Sequence, residues 1–119
     1  MQTEPVFAAT ATHPTLLIED DRSDDPLTWR IVIAGELGTA GGVELHRAVL
    51  TALRRYRPRH IEIDTRGLIS VDEEGLTALL LCRQDAQQVE CRLAVKDPHP
   101  RTYQILREAG MANTLGLPR

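Results

Sequence analysis

The chain has few of the features that stabilise secreted proteins or place proteins in membranes. Its two cysteines, Cys82 and Cys91, are isolated and fall within predicted regular elements. This favours reduced, buried thiols and a cytoplasmic location. No apolar run approaches the roughly 20 residues of a membrane span, so we expect no membrane insertion. Residues 1–12 lack the basic start and apolar core of a secretory signal, and we expect them to form a flexible tail before a single domain over residues 13–119.

The chain also lacks an excess of positive charge. Its net charge of −3 argues against a nucleic-acid partner, for which a concentrated basic face is expected. The one basic cluster consists of Arg54, Arg55, Arg57 and Arg59. These residues close a predicted helix, where positive charge favours the negative end of the helix dipole, so we interpret them as structural.

Signals of catalysis and of metal binding are missing as well. Residues 38–42 are rich in glycine but lack the Lys and the Ser or Thr of a phosphate-binding loop. The histidines are scattered without metal-ligand spacing, at His13, His46, His60 and His99. Cys82 has no neighbouring His or basic cluster in the sequence that would lower its pKa. We therefore expect no enzyme activity, no catalytic residue, no metal and no cofactor.

The periodicity of the apolar residues predicts one α/β domain. Hydrophobic residues make up 42% of the chain and charged residues 26%, which is typical of a globular protein. Strands are predicted at 15–18, 28–34, 60–64 and 89–95, with a short final edge strand at 114–117. Helices are predicted at 43–55, at 73–88 and from Asp97-Pro98 to Gly110. The order β-β-α-β-α-β-α(-β) implies a mixed, mostly parallel sheet of four to five strands with helices packed on it.

The connecting segments and the buried faces follow from the same pattern. Residues 19–26 are predicted to form an acidic loop, residues 35–38 a turn, and the segment through Gly67 a loop. Thr39 is a candidate helix cap. The stripe of the first helix includes Val43 and Tyr56, and residues 76–82 of the second helix are apolar on nearly every face, which predicts deep burial.

The most informative segment is Val71-Asp72-Glu73-Glu74-Gly75-Leu76, which places three carboxylates where the second helix should begin. A helix start presents free backbone N–H groups and the positive end of the dipole, so it favours negative charge. The structural interpretation is a cap, either by Asp72 or by a capping box that starts at Ser70. The functional interpretation is a charge displayed to a partner, and both interpretations stay open.

Four phrases in the sequence resemble those of the STAS domain, the fold of bacterial anti-sigma factor antagonists. Ala34-Gly35-Glu36-Leu37 is similar to the family's Gly-Glu-Leu-Asp phrase, and Ile61-Glu62-Ile63-Asp64 is similar to its apolar strand that ends in Asp. The segment from Val71 to Leu76 is similar to its Asp-Ser-Ser-Gly-Leu helix start. Leu106-Arg107-Glu108-Ala109-Gly110-Met111 is similar to its closing Leu-x-x-x-Gly-Leu phrase. The resemblance covers residues 15–117.

The resemblance implies a regulatory protein that binds an anti-sigma factor with serine kinase activity. In the family, that kinase phosphorylates the first Ser after the Asp; here the position is Glu73, the second Ser position is Glu74, and Gly38 replaces the Asp of the Gly-Glu-Leu-Asp phrase. Glu73 would present the charge that the partner reads, and Gly75 would admit another backbone. The expected partner-binding surface also includes the exposed side of the helix that follows Gly75, and its named residues are Glu36, Gly38, Thr39, Ser70, Asp72, Glu73, Glu74 and Gly75. A weak homodimer stays open.

Two other interpretations compete with this one. The acidic segment after Leu16-Leu17-Ile18, together with Asp64 and Lys96, is similar to a receiver domain that is phosphorylated on Asp. A receiver, however, requires a helix directly after the acidic turn, where residues 28–34 predict a strand. The second alternative is a scaffold or accessory STAS subunit in a larger assembly such as a transporter complex.

Overall fold

The strands and helices follow one another in the predicted order. A computed structural model describes residues 16–117, except for the side chain of Arg22. Its elements are β1 (Leu16–Arg22), β2 (Thr28–Leu37), α1 (Thr39–Tyr56), β3 (His60–Val71), α2 (Glu73–Gln88), β4 (Arg92–Lys96) and α3 (Pro100–Glu108). The predicted tail at residues 1–12, and the first three residues of the predicted domain, lie outside the described residues.

The sheet is mixed and mostly parallel, as predicted. Its strand order is β1-β2-β3-β4; β1 pairs antiparallel with β2, and the other neighbours pair in parallel. Helices α1 and α2 connect the parallel strands and pack against each other. Both helices therefore begin at the edge of the sheet where β2 and β3 end.

The core lies between one face of this sheet and the helices. Alternate residues of three strands are fully or nearly fully buried, namely Ile31, Ile33, Ile61, Ile63, Leu93 and Val95. The same cluster includes the predicted helix residues Leu45, Val49 and Leu53, together with Leu79 and Cys82. The alternation arises because successive side chains of a strand point to opposite faces.

The acidic segment after Ile18 belongs to a strand rather than to a loop. The prediction of a loop at 19–26 is wrong for Glu19–Arg22, which pair with β2 as part of β1. Cross-strand partners explain the difference: Asp21 lies 3.4 Å from Arg30, and the indole of Trp29 donates to Asp20 at 3.3 Å. Opposite charges facing each other across a strand pair stabilise it, although their spacing along the sequence does not reveal the pairing.

Strands β2 and β3 run further than predicted. The predicted turn at 35–38 is wrong for residues 35–37, which belong to β2. The predicted loop through Gly67 is also wrong, because it is part of β3. The pairing continues across two irregularities of register, between Val32 and Ala34 and between Gly35 and Glu36. A bulge shifts the register locally without ending the strand pairing, so both strands continue through glycine and polar residues that predict a turn or a loop.

Several element ends also differ from the predictions. Helix α1 begins at Thr39, so Thr39 is not its cap; Gly38 holds that position without a side-chain bond. Strand β4 begins at Arg92 because the chain turns first, with Glu90 at φ 59°.

The C-terminal elements are shifted in the same way. Helix α3 starts at Pro100 and is capped by His99, whose Nδ1 accepts from the backbone N–H of Arg101, whereas Asp97 has φ 49°. The predicted strand at 114–117 is a turn segment, which contacts β4 through one bond from the Val95 N–H to the Leu115 carbonyl. Across residues 16–117, no helix has both the length and the hydropathy required to span a membrane.

Candidate functional site

The predicted site residues lie together at the carboxyl edge of β2 and β3. Glu36 pairs with Ser70 in the parallel ladder, so the start of α1 lies beside the segment that opens α2. We call this surface the acidic edge; it comprises Glu36, Gly38, Thr39, Ser70, Asp72, Glu73, Glu74 and Gly75. All of its side chains that carry a charge or a hydroxyl are exposed.

Asp72 is the cap of α2. Its Oδ1 accepts the backbone N–H of Gly75 at 2.9 Å, and its own N–H donates to the Leu37 carbonyl at 3.2 Å. The prediction of a capping box that starts at Ser70 is therefore wrong, and the prediction of a direct cap by Asp72 is confirmed. Its other carboxylate oxygen lies 2.8 Å from where a Cβ on Gly38 would stand. An Asp at position 38 would meet the Asp72 carboxylate there, so glycine suits this arrangement.

Glu73 and Glu74 occupy the first turn of α2 without taking part in the cap. Both side chains are exposed, and within residues 16–117 neither makes a hydrogen bond or an ion pair. The Thr77 hydroxyl donates to the backbone carbonyl of Glu73 at 3.0 Å, so this hydrogen bond does not involve the Glu73 carboxylate. The dipole of α2 favours these charges, but no residue of the described chain neutralises them.

The sequence predicted that Gly75 would admit another backbone, and the backbone that approaches it in the structure is the chain's own. A Cβ on Gly75 would stand 2.1 Å from the Leu37 carbonyl oxygen and 3.0 Å from Leu37 Cγ. The start of α2 is thus pressed against the end of β2. Gly75 fixes the position of the acidic edge and is itself buried.

A groove between α1 and α2 adjoins the acidic edge, and the sequence did not reveal it. It measures about 400 Å³ and is lined by Thr39, Gly42, Val43, His46, Glu74, Thr77, Ala78 and Leu81. Val43 is 53% exposed and Leu81 is 41% exposed, so the predictions that place them in the core are wrong. Close approach of the helices at Gly42 and Ala78 leaves these two larger side chains on the rims.

The same pair of helices is bridged by His46 and Asp85. Their Nε2 and Oδ2 atoms lie 2.5 Å apart, and both side chains are about one-third exposed. The sequence indicated only that His46 belongs to no metal-ligand spacing. The two residues lie 39 positions apart in the chain, so no local pattern predicts this pair.

Asp64, the acid that would accept the phosphoryl group in a receiver domain, is instead paired with two arginines. Arg30 and Arg66 contact its Oδ2 at 2.5 and 2.7 Å, and Asp64 is 1% exposed. Burial alone would raise the pKa of Asp64, but the hydrogen bonds from Arg66 and the charges of both arginines outweigh it and hold that pKa below its ordinary value. The β1–β2 hairpin also occupies the place where a receiver requires a helix.

Both cysteines are free and buried in the part of the chain that the structure describes. Burial raises the pKa of the Cys82 thiol to about 12 and that of Cys91 to about 11, so both stay protonated near neutral pH. Residues 16–117 contain no group of three or more His, Cys, Asp or Glu side chains placed to hold a metal ion.

Comparison with known proteins agrees with this architecture. Residues 22–118 match the family model described as "Mlab, STAS domain". No curated protein sequence matches the chain.

Solved structures share the fold at low sequence identity. The unphosphorylated anti-sigma factor antagonist SpoIIAA of Bacillus is 18% identical, with a TM-score of 0.68 over 80% of this chain and 82% of that one. An anti-sigma factor antagonist from Mycobacterium paratuberculosis is 16% identical, with a TM-score of 0.69 over 86% and 84% of the two chains. The murine anion transporter Slc26a9 is 12% identical, with a TM-score of 0.69 over 96% of this chain and 21% of the transporter.

Proposed function

The chain belongs to the STAS domain family, and on that premise we propose that it is a non-enzymatic module that binds a protein partner in bacterial regulation. Its role is that of an anti-sigma factor antagonist or a divergent relative, acting in the cytoplasm. The partner is an anti-sigma factor of the serine kinase type, or a relative that accepts negative charge. The acidic edge is the contact surface, and the complex involves no nucleic acid and no cofactor.

The exposure of Glu73 is the observation that carries this proposal. The residue stands where the family has its phosphorylated Ser, and its exposed carboxylate pairs with no basic group of the described chain. A phosphoserine carries about −1.5 to −2 charges at neutral pH, and Glu73 with Glu74 carries a comparable charge permanently. The acidic edge thus holds a fixed charge where relatives carry a removable one.

A fixed charge constrains the partner. Burying two carboxylates in an interface costs desolvation energy unless Lys or Arg groups pair with them. A kinase partner shaped for a neutral hydroxyl would bind weakly, and a partner with basic residues at that point would bind well. We therefore expect a partner whose contact surface is more basic than that of an ordinary kinase-type anti-sigma factor.

Substitution of Glu73 tests this function. Purified wild type, Glu73→Ser and Glu73→Gln are incubated with a panel of kinase-type anti-sigma factors and ATP, and phosphate transfer is measured by intact mass. We expect Glu73→Ser to gain a phosphate or to bind at least one kinase more tightly than the wild type. The matched control is Glu19→Gln, an exposed acid on β1. If both Glu73 variants behave as the wild type toward every kinase, the switch-site assignment is wrong.

A second candidate function is an accessory subunit of a transporter assembly. The likeness in fold to the Slc26a9 anion transporter favours it. In that case the domain would form a stable complex with another subunit and would not bind any kinase-type anti-sigma factor. Sedimentation of the purified protein, alone and with each kinase, separates the two functions. It also detects a homodimer, which we expect to be weak at most.

A further inference from the structure

The groove between α1 and α2 has the shape of a site for a helix. Along α2, its lining residues Glu74, Thr77, Ala78 and Leu81 recur every three or four positions, so they form one continuous row. From Glu74 to Leu81 this row spans about 10 Å, or two helical turns. Gly42 and Ala78 form a narrow floor, and the half-exposed Val43 and Leu81 stand on either side.

The charges at the two ends of the groove differ. At the end toward the acidic edge, Glu74 lines the groove and Glu73 adjoins it, and both are unpaired within residues 16–117. At the other end, His46 lines the groove and is already paired with Asp85. Neither Lys nor Arg lines the groove. An anionic occupant would be repelled, and an apolar occupant with positive charge at one end would be attracted.

We propose that this groove receives an amphipathic helix of the protein partner, with an apolar stripe over Val43 and Leu81 and a Lys or Arg that pairs with Glu74. Docking of an apolar helix face into a groove is an established mode of peptide recognition. The inference rests on the proposed function, because it takes the partner of the acidic edge to be a protein. It adds the chemistry of the segment that binds.

Photo-crosslinking in cells of the native host tests the groove separately from the function. A photo-crosslinking amino acid replaces Glu73, Leu81 or Val89 in three full-length proteins, and the crosslinked peptides are sequenced by mass spectrometry. Val89 is the control, because it is 60% exposed at the far end of α2 and does not line the groove. We expect positions 73 and 81 to crosslink to one partner, and position 81 to a segment with helical apolar spacing and a Lys or Arg.

Each other outcome overturns a defined claim. A crosslink from position 73 without one from position 81 refutes the groove and leaves the function standing. So does a crosslink from position 81 to an acidic segment or to a second copy of this chain. If neither position 73 nor position 81 crosslinks to any protein, both the groove and the proposed function are wrong.

The crosslinked segment, made as a synthetic peptide, then provides a quantitative test. We expect Glu74→Lys to weaken its binding about tenfold, because attraction is replaced by repulsion, whereas Glu19→Lys changes it less than about twofold. We expect Leu81→Gln to weaken binding about fivefold and Val89→Gln to leave it unchanged. Equal effects of Glu74→Lys and Glu19→Lys would show that only the net charge matters and would refute the assignment.

Discussion

Replacement of Gly75 by alanine should destabilise the domain strongly, although alanine is the better helix former. The added Cβ would stand 2.1 Å from the Leu37 carbonyl oxygen, whereas a carbon and an oxygen normally approach to about 3.3 Å. The start of α2 would have to move by more than about 1 Å away from β2. That movement also stretches the hydrogen bond from the Asp72 N–H to the same carbonyl, which is already 3.2 Å long.

The expected loss can be worked out from these contacts. Overpacking of a tight contact costs about 1–3 kcal/mol, and a lost hydrogen bond costs about 1 kcal/mol more. The higher helix propensity of alanine returns about 1 kcal/mol. With overpacking at the upper end of its range, we expect Gly75→Ala to lower the free energy of unfolding by about 3 kcal/mol. Urea unfolding followed by circular dichroism measures it.

Gly110→Ala is the matched control, because it adds the same methyl group at a position where the expected destabilisation has a different cause. Gly110 has φ +74°, and nothing lies within 4 Å of its added Cβ, so only backbone strain of about 1–2 kcal/mol is expected. Gly75→Ala should therefore cost more than Gly110→Ala. If Gly75→Ala is as stable as the wild type, α2 does not rest on Leu37 and the described geometry of the acidic edge is wrong.

Two further predictions concern Asp72 and Asp64. Asp72→Ala removes the cap of α2 and should lower the free energy of unfolding by about 1 kcal/mol, whereas Asp72→Asn should lose much less; equal losses would contradict the capping role. Asp64 has a lowered pKa in the folded protein, so its stabilising effect is complete above about pH 5 and is lost as the pH falls through that lowered pKa. Urea unfolding between pH 3 and pH 6 should therefore show a shallower pH dependence for Asp64→Asn than for the wild type. Glu19→Gln should retain the wild-type dependence, and an unchanged slope in Asp64→Asn would contradict the assignment.

One residue of the acidic run caps α2, and the exposed, unpaired charges belong to the other two. Asp72 turns its carboxylate inward to the Gly75 N–H, while Glu73 and Glu74 remain exposed and unpaired within residues 16–117. The two interpretations of this run are therefore compatible. A variant of Asp72 should act mainly on stability, and a variant of Glu73 mainly on binding.

Local patterns predicted α2 better than any other element. Its bounds of 73–88 and its Asp72 cap are confirmed, because a strong cap, acids in the first turn and helical apolar spacing all agree there. The sequence predicts that α3 starts at Asp97-Pro98, yet His99 caps the helix and Pro100 is its first residue. Two X-Pro pairs lie side by side in the sequence, and the local signals for a helix start do not distinguish between them.

The sequence by itself determined the order of the elements, the sheet class and the position of the acidic run at the start of α2, since each depends on apolar periodicity and capping within a few neighbouring residues. The tertiary structure alone decided where β1, β2 and β3 end, because pairing between strands outweighs the turn propensity of Gly35 and Gly67. It also decided that Leu37 fills the space beside Gly75 and that Val43 and Leu81 flank an open groove. These features depend on how closely two elements approach, and that distance is set by the packing of the whole domain.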